Sequence, residues 1–117
     1  MARDRVLGLR DNQYAAETAR LRDMARESRL RAVDSKLSVS FTLCAVAETH
    51  IRYARSDEAH DLVSKLRHFA ETIRIHINEP NHVPTVAIAD LRLRLTQLEK
   101  QIEKIEFKLH QHELRSA

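Results

Sequence analysis

Apolar residues recur every three or four positions along most of the chain, which is the spacing of amphipathic helices. Only one Gly and two Pro occur in 117 residues, so the pattern can continue through long helices. It predicts four helical segments, at about residues 11–33, 34–55, 56–78 and 84–112. We therefore expect an all-α fold, an antiparallel helical hairpin or bundle of about four helices with a long C-terminal heptad helix. We expect one domain over residues 1–117, with frayed ends at 1–10 and 113–117.

The first two segments are the least clearly separated part of the pattern. The first carries a narrow stripe of mostly small side chains: Tyr14, Thr18, Leu21, Met24, Ala25, Ser28 and Ala32. The second carries Leu37, Phe41, Cys44, Ala47, Ile51 and Ala54. Because neither Gly nor Pro separates them, one long, bent helix is an alternative. Apolar residues also alternate with polar ones from Leu37 to Leu43, as in a β-strand. No turn-bounded second strand is evident, so a helix is predicted here.

The third segment has the clearest ends. Ser56, followed by two acids, suits a capped helix start. Asn78 can take the left-handed cap conformation, and Pro80 prevents the helix from continuing. Its apolar stripe is wide, which indicates a helix with more than one neighbour. The stripe consists of Ala59, Leu62, Val63, Leu66, Phe69, Ala70, Ile73 and Ile77.

The fourth segment has a sustained heptad pattern. Pro84 suits the first position of a helix. The a positions are Ile88, Leu95, Ile102 and Leu109, and the d positions are Leu91, Leu98 and Ile105. Such a seam is typical both of a bundle within one chain and of a coiled coil between two chains. Most of it is expected to pack inside the chain.

A parallel homodimer through this helix is compatible with the flanking charges. Each g residue would meet the partner's e residue five places on, pairing Arg94 with Glu99, Gln101 with Glu106 and Lys108 with Glu113. Two of these pairs are attractive and none is repulsive. The predicted interface is Leu91, Leu95, Leu98, Ile102, Ile105 and Leu109 with Arg94, Glu99, Lys108 and Glu113. We thus expect a non-catalytic adaptor or regulatory protein that acts through helix–helix contacts with an unidentified protein partner.

The net charge of +3 suggests a second hypothesis. Residues 1–33 hold eight Arg and five acids, whereas residues 34–117 hold twelve bases and twelve acids. On a helix, Arg22, Arg26 and Arg29 form one positive ridge, which could attract a polyanion such as nucleic acid. Neighbouring acids, and the lack of an aromatic stacking platform, favour an ordinary solvated face instead.

Histidine chemistry provides a third hypothesis. The motif Ala59-His60-Asp61-Leu62 resembles the reactive motif of histidine phosphotransfer domains, which are helical bundles. The resemblance covers four residues and implies that His60 would carry the phosphoryl group. Val63 stands where that family has Lys, and Ser64 stands where it has Gly.

Other chemistry is not expected from the sequence. One cysteine, Cys44, supports neither a disulfide nor structural zinc. The Glu-x-x-His spacing of di-metal bundles occurs once, from Glu79 to His82, in the loop that contains Pro80. We therefore expect no metal, no cofactor and no enzymatic activity. No run of apolar residues is long enough to span a membrane, and a cytoplasmic protein is the default expectation.

Overall fold

The computed structural model describes the backbone of residues 2–116 and the side chains of residues 10–115. The described residues form three α-helices, α1 (Ala2–Arg52), α2 (Ser56–Asn78) and α3 (Ile88–Ser116), with a short 3-10 helix at Thr85–Ala87. The all-helical prediction is confirmed. The predicted count of about four helices is not, because the first two segments form one helix of 51 residues. No helix-breaking residue lies between them, so backbone hydrogen bonding continues. Met1 and Ala117 lie outside the described residues.

A three-residue turn reverses the chain between α1 and α2. Ala54 has the left-handed conformation (φ 58°), and its N–H donates to the carbonyl of Ile51 at 3.1 Å. The N–H of Arg55 donates to the carbonyl of His50 at 2.8 Å. These bonds satisfy carbonyls that the end of α1 would otherwise leave without a donor. Ala54, predicted as an apolar position of a helix, is therefore a helix-terminating residue.

The loop between α2 and α3 ends one helix and starts the next. Glu79 is extended after the last residue of α2, and its N–H still donates to the carbonyl of Ile75 at 3.1 Å. The left-handed residue is Asn81 (φ 59°) rather than Asn78. Ser56 begins α2 as predicted, but no side chain caps that end. Pro84 precedes the 3-10 helix that leads into α3.

Interhelical ion pairs define how the helices run. Between α2 and α3 the pairs are His60 with Glu113, Arg67 with Glu106, and Arg74 with Glu99. Residue numbers rise by seven on α2 as they fall by seven on α3, so these helices are antiparallel. Between α1 and α3 the pairs are Asp34 with Arg94 and Glu48 with Lys108, which both rise by 14, so these helices are parallel.

One core runs along the line where the three helices meet. Its centre is fully buried and includes Leu37, Leu66, Leu98, Ile102 and Ile105. The remaining buried apolar residues are Val33, Cys44, Ala47, Ile51, Ala59, Val63, Ala70, Ile73, Ile77, Val83, Leu91, Leu95 and Leu109. Burying each large aliphatic side chain contributes about 1.5–3 kcal/mol to the free energy of unfolding. The fold is therefore held by apolar contacts, with ion pairs along its edges.

The molecule is a rod of 86 × 20 × 15 Å. At 1.5 Å per residue, α1 is about 76 Å long, while α2 and α3 are about 35 and 44 Å long. Among the described side chains of α1, the first that hydrogen-bonds to the rest of the chain is Arg26, whose Nε donates to the carbonyl of Asn81 at 3.2 Å. Residues 2–22, which we name the projecting segment, therefore extend beyond the other helices.

Replacing one core leucine of α3 should destabilise the fold far more than replacing an exposed leucine of the same helix. Leu98 is fully buried, whereas Leu93 is 58% exposed. We expect Leu98→Ala to lower the free energy of unfolding by about 2–5 kcal/mol, and Leu93→Ala to change it by less than about 0.5 kcal/mol. Urea denaturation followed by circular dichroism measures both. Equal losses would contradict the placement of α3.

Candidate interaction surface on α1

The predicted interface on α3 lies inside the folded chain. Its six apolar residues, Leu91, Leu95, Leu98, Ile102, Ile105 and Leu109, are all core residues. Its four charged residues pair within the chain: Arg94 with Asp34, Lys108 with Glu48, Glu99 with Arg74, and Glu113 with His60. A second chain could reach this seam only if α1 or α2 moved away. A homodimer through α3 is therefore not supported by the fold.

The predicted arginine ridge does not form one open surface. Arg26 bonds to the carbonyl of Asn81 and to Asp23, which occupies its guanidinium. Arg29 is half-buried, and its Nε is buried without a hydrogen-bond partner, in a small pocket beside His76. Arg22 is exposed, and the described residues offer it no ion pair. Two of the three residues thus face the loop after α2 rather than open solvent.

The structure gives His60 and Cys44 no evident reactive role. His60 is exposed, but its Nε2 bonds to the carboxylate of Glu113, which would repel a phosphoryl group at that position. Burial, and to a smaller extent the charge of Glu48, raises the pKa of the Cys44 thiol to about 11. A buried thiol that stays protonated is not nucleophilic.

The side of α1 that faces away from the core carries a second, uncharged stripe. Its positions alternate in steps of four and three residues, as in a heptad seam. The twelve residues are Tyr14, Thr18, Leu21, Ala25, Ser28, Ala32, Ser35, Val39, Thr42, Val46, Thr49 and Tyr53. We name them the outer stripe. From Tyr14 to Thr49 it covers about 53 Å of helix, and Tyr53 is the first residue after α1. None of its positions is charged although 32% of the chain is.

The residues of the outer stripe are exposed, except for Thr18, which is half-buried. Val39, Val46 and Tyr53 each lie two residues after a core residue of α1, a rotation of about 200° that places them on the opposite side of the helix. Val39 is 52% exposed and Tyr53 is 67% exposed. At the other end of the stripe, Tyr14 is 78% and Leu21 is 55% exposed. Water therefore contacts a face that has the pattern of a helix-packing surface.

The three threonine hydroxyls of the outer stripe already donate hydrogen bonds to backbone carbonyls of α1. Thr18 donates to the carbonyl of Tyr14 at 2.9 Å, Thr42 to that of Ser38 at 3.2 Å, and Thr49 to that of Ala45 at 3.0 Å. Because burying an unpaired hydroxyl is costly, these internal bonds lower the cost of covering the stripe. The side chains of Thr18, Thr42 and Thr49 can then pack by their methyl groups.

The borders of the outer stripe are basic. The positions next to it include five cationic residues, Arg22, Arg29, Arg31, Lys36 and Arg52, and a single acid, Glu17. Glu17 pairs with Arg20 at 3.3 Å. Arg29 and Lys36 turn towards α2, where they line the pocket beside His76, so a helix lying along the stripe would meet Arg22 on one side and Arg31 and Arg52 on the other.

The apolar pattern of the sequence indicated only the beginning of the outer stripe. Six of the seven residues predicted for the first segment belong to it, and the exception, Met24, lies beside it. The stripe continues from Ala32 to Tyr53. In this part of the sequence the core residues of the same helix are also apolar, so the two patterns overlap and the outer one is not evident. The sequence signal that could have revealed the whole stripe is the absence of charged residues at positions separated alternately by four and three residues.

Three possible metal-binding side chains meet at the end of α2. The Nδ1 of His76 and the Nε2 of His82 are 2.9 Å apart, with the two rings stacked at a centroid distance of 4.8 Å. The Nδ1 of His82 lies 3.2 Å from Oε2 of Glu79. Burial lowers the pKa of His76, and the charges of His82 and Lys36 lower it further, so its neutral form is favoured.

Together, the fold and this surface define an elongated all-helical protein with an exposed, uncharged stripe along α1. No family model matches the chain, and comparisons with curated proteins and solved structures found no match. Among the described residues, no helix has both the length and the apolar content needed to cross a bilayer.

The thiol of Cys44 should be protected by the fold. Because the side chain is fully buried and its pKa is about 11, a disulfide reagent at pH 8 should label it only when the chain opens. We expect the labelling rate to rise by orders of magnitude between native buffer and denaturing urea. Absorbance of the released thiolate measures this rate. Rapid labelling in native buffer would contradict the placement of Cys44 in the core.

Proposed function

We propose that this chain is a non-catalytic adaptor whose outer stripe binds an acidic amphipathic helix of another protein. The observation that supports this proposal is the exposed, uncharged four-three pattern on the side of α1 opposite the core. Helix-in-groove and coiled-coil recognition both depend on apolar anchors at such spacing. Tyr14, Leu21, Val39, Val46 and Tyr53 are the apolar anchors of the stripe.

Small residues in the middle of the stripe favour close approach of a partner helix. Ala25, Ser28, Ala32 and Ser35 present little more than the backbone. Large anchors flank them on both sides. A partner helix with large apolar residues opposite this small-residue section would fill it, and the area removed from water would contribute about 25 cal/mol per Å² before the costs of association.

Charge favours a different, acidic chain over a second copy of this one. In a parallel self-pair, Glu17 would meet Arg22, but the other exposed border bases, Arg31 and Arg52, would meet no acid on the borders of the stripe. Two copies would therefore bring an excess of positive charge together. Acidic residues on the flanks of the partner helix would instead be attracted on both sides, which also accelerates association.

A polyanion such as nucleic acid remains the second candidate function, since the same basic borders would attract phosphates. Nucleic acid would contact the basic border residues and would make no contacts that depend on the uncharged stripe between them. The phosphotransfer hypothesis through His60 has less support, because the carboxylate of Glu113 occupies its ring nitrogen.

The test uses a synthetic peptide as the partner. The peptide is a helix of five heptads with Leu and Ala on its apolar seam and Glu at every flanking position, labelled for fluorescence anisotropy. We expect it to bind the full chain, and we expect Leu21→Glu and Val39→Glu to weaken binding at least tenfold, because each places a carboxylate in the stripe opposite an acidic partner. The matched control is Ile75→Glu on α2, which replaces an apolar residue that is also 58% exposed and should leave binding unchanged.

Three results would overturn the proposal. Equal binding of a peptide with the same composition but a scrambled seam, or of a DNA duplex, would show that charge alone attracts the ligand. Binding that Leu21→Glu and Val39→Glu leave unchanged would place the site elsewhere. A wild-type dimer that sedimentation detects and Val39→Glu dissociates would identify the occupant of the stripe as a second copy of this chain.

A further inference from the structure

We propose that His76, Glu79 and His82 form a binding site for a divalent transition-metal ion, with zinc as the typical occupant. The ligand atoms of the three side chains all lie within 4.8 Å of one another. The residues occur at intervals of three, and together they span the last turn of α2 and the loop that follows it. The site is separate from the outer stripe and does not depend on the function proposed for that surface.

The facing nitrogens of the two histidines already lie close together, joined by a hydrogen bond whose proton must leave before both nitrogens can bind an ion. Zinc–nitrogen bonds are about 2.0–2.1 Å long, so two ligands of a tetrahedral zinc ion lie about 3.3 Å apart. The facing nitrogens of His76 and His82 are 2.9 Å apart, which requires an increase of about 0.4 Å to admit an ion. Both side chains are half-buried, so their rings have limited freedom to turn away.

Glu79 supplies the negative charge that such a site requires. It follows the last residue of α2, where the backbone is extended, and its carboxylate already contacts His82 at 3.2 Å. This contact is to the Nδ1 of His82, whereas the Nε2 of His82 faces His76, so the carboxylate must move to the Nε2 side of the ring to bind the same ion. Two imidazoles and one carboxylate are the donor set of many open zinc sites, which leave a fourth position for water or another ligand.

The surroundings act on the ion in two opposite ways. The C-terminal end of α2 carries the negative end of the helix dipole, which favours a cation in its last turn. On the facing side of the pocket, Arg29 and Lys36 of α1 are positive. These two cations weaken the attraction for a bare dication and favour an anion as its fourth ligand. The buried Nε of Arg29, which has no hydrogen-bond partner, could donate to that anion.

An imidazole-rich site has a preferred order of metals. Affinity for nitrogen and oxygen ligands rises from Mn²⁺ through Co²⁺ and Ni²⁺ to Cu²⁺, with Zn²⁺ below Cu²⁺. Mg²⁺ and Ca²⁺ prefer six or more oxygen ligands, which this site does not supply. The expected specificity is therefore for Zn²⁺, Cu²⁺, Ni²⁺ and Co²⁺ over Mg²⁺ and Ca²⁺.

The experiment is calorimetric titration of the untagged full chain with zinc chloride in a buffer that does not chelate metals. We expect one high-affinity ion per chain. His76→Gln and His82→Gln should each weaken binding at least tenfold, and Glu79→Gln should weaken it by about ten- to a hundredfold. Titration with Co²⁺ adds a spectroscopic signature, because a four-coordinate site gives intense visible absorption that the histidine variants should lose.

The matched control is His68→Gln, which removes an exposed histidine two turns earlier on the same helix. It should bind zinc as the wild-type chain does. Unchanged circular dichroism in all four variants would establish that lost binding is not lost folding. The proposal is overturned if the wild-type chain binds no stoichiometric zinc. It is also overturned if His68→Gln weakens binding as much as His76→Gln, since that would indicate dispersed surface histidines.

Discussion

The rest of the structure depends on how α3 packs along both other helices. Its heptad seam is fully buried at Leu98, Ile102 and Ile105, and neither α1 nor α2 alone could cover it. Because α3 runs antiparallel to α2 and parallel to α1, its two flanks face different helices. The basic flank meets acids of α1, and the acidic flank meets bases of α2. These exposed pairs contribute little stability individually. Because the two flanks of α3 carry opposite charges, these pairs determine which flank packs against α1 and which packs against α2.

Helix α1 differs from its neighbours because it has two packing faces on opposite sides. Leu37 and Cys44 face the core, while Val39 and Val46 face solvent. This explains the strand-like alternation from Leu37 to Leu43, since inward and outward apolar residues stand two positions apart. One face completes the fold, and the other is exposed to solvent. The projecting segment extends the outer face well beyond the helices that support α1.

Both candidate sites consist of residues whose types the fold itself does not require. The core requires no particular residue type on the outside of α1, yet twelve successive stripe positions exclude charge. Likewise, the end of α2 needs only a terminating loop, yet that loop brings His82 and Glu79 back to His76. Glu79 and His82 were recognised in the sequence as a spacing, but their loop was expected to hold no site. Only the turn at Asn81, which has a left-handed backbone, returns His82 to the helix end.

The sequence by itself determined the helical fold, the end of α2 at Asn78 and the core seam of α3, because these follow from local periodicity and from Pro80 and Pro84. It could not determine whether α1 is one helix or two, since an unbroken pattern is compatible with both. Nor could it tell whether the α3 seam packs within or between chains, because apolar burial is non-directional and the same heptads serve either purpose. Only the tertiary structure decided this. By covering α3 with α1 and α2, it left the outer stripe of α1 as the uncovered face.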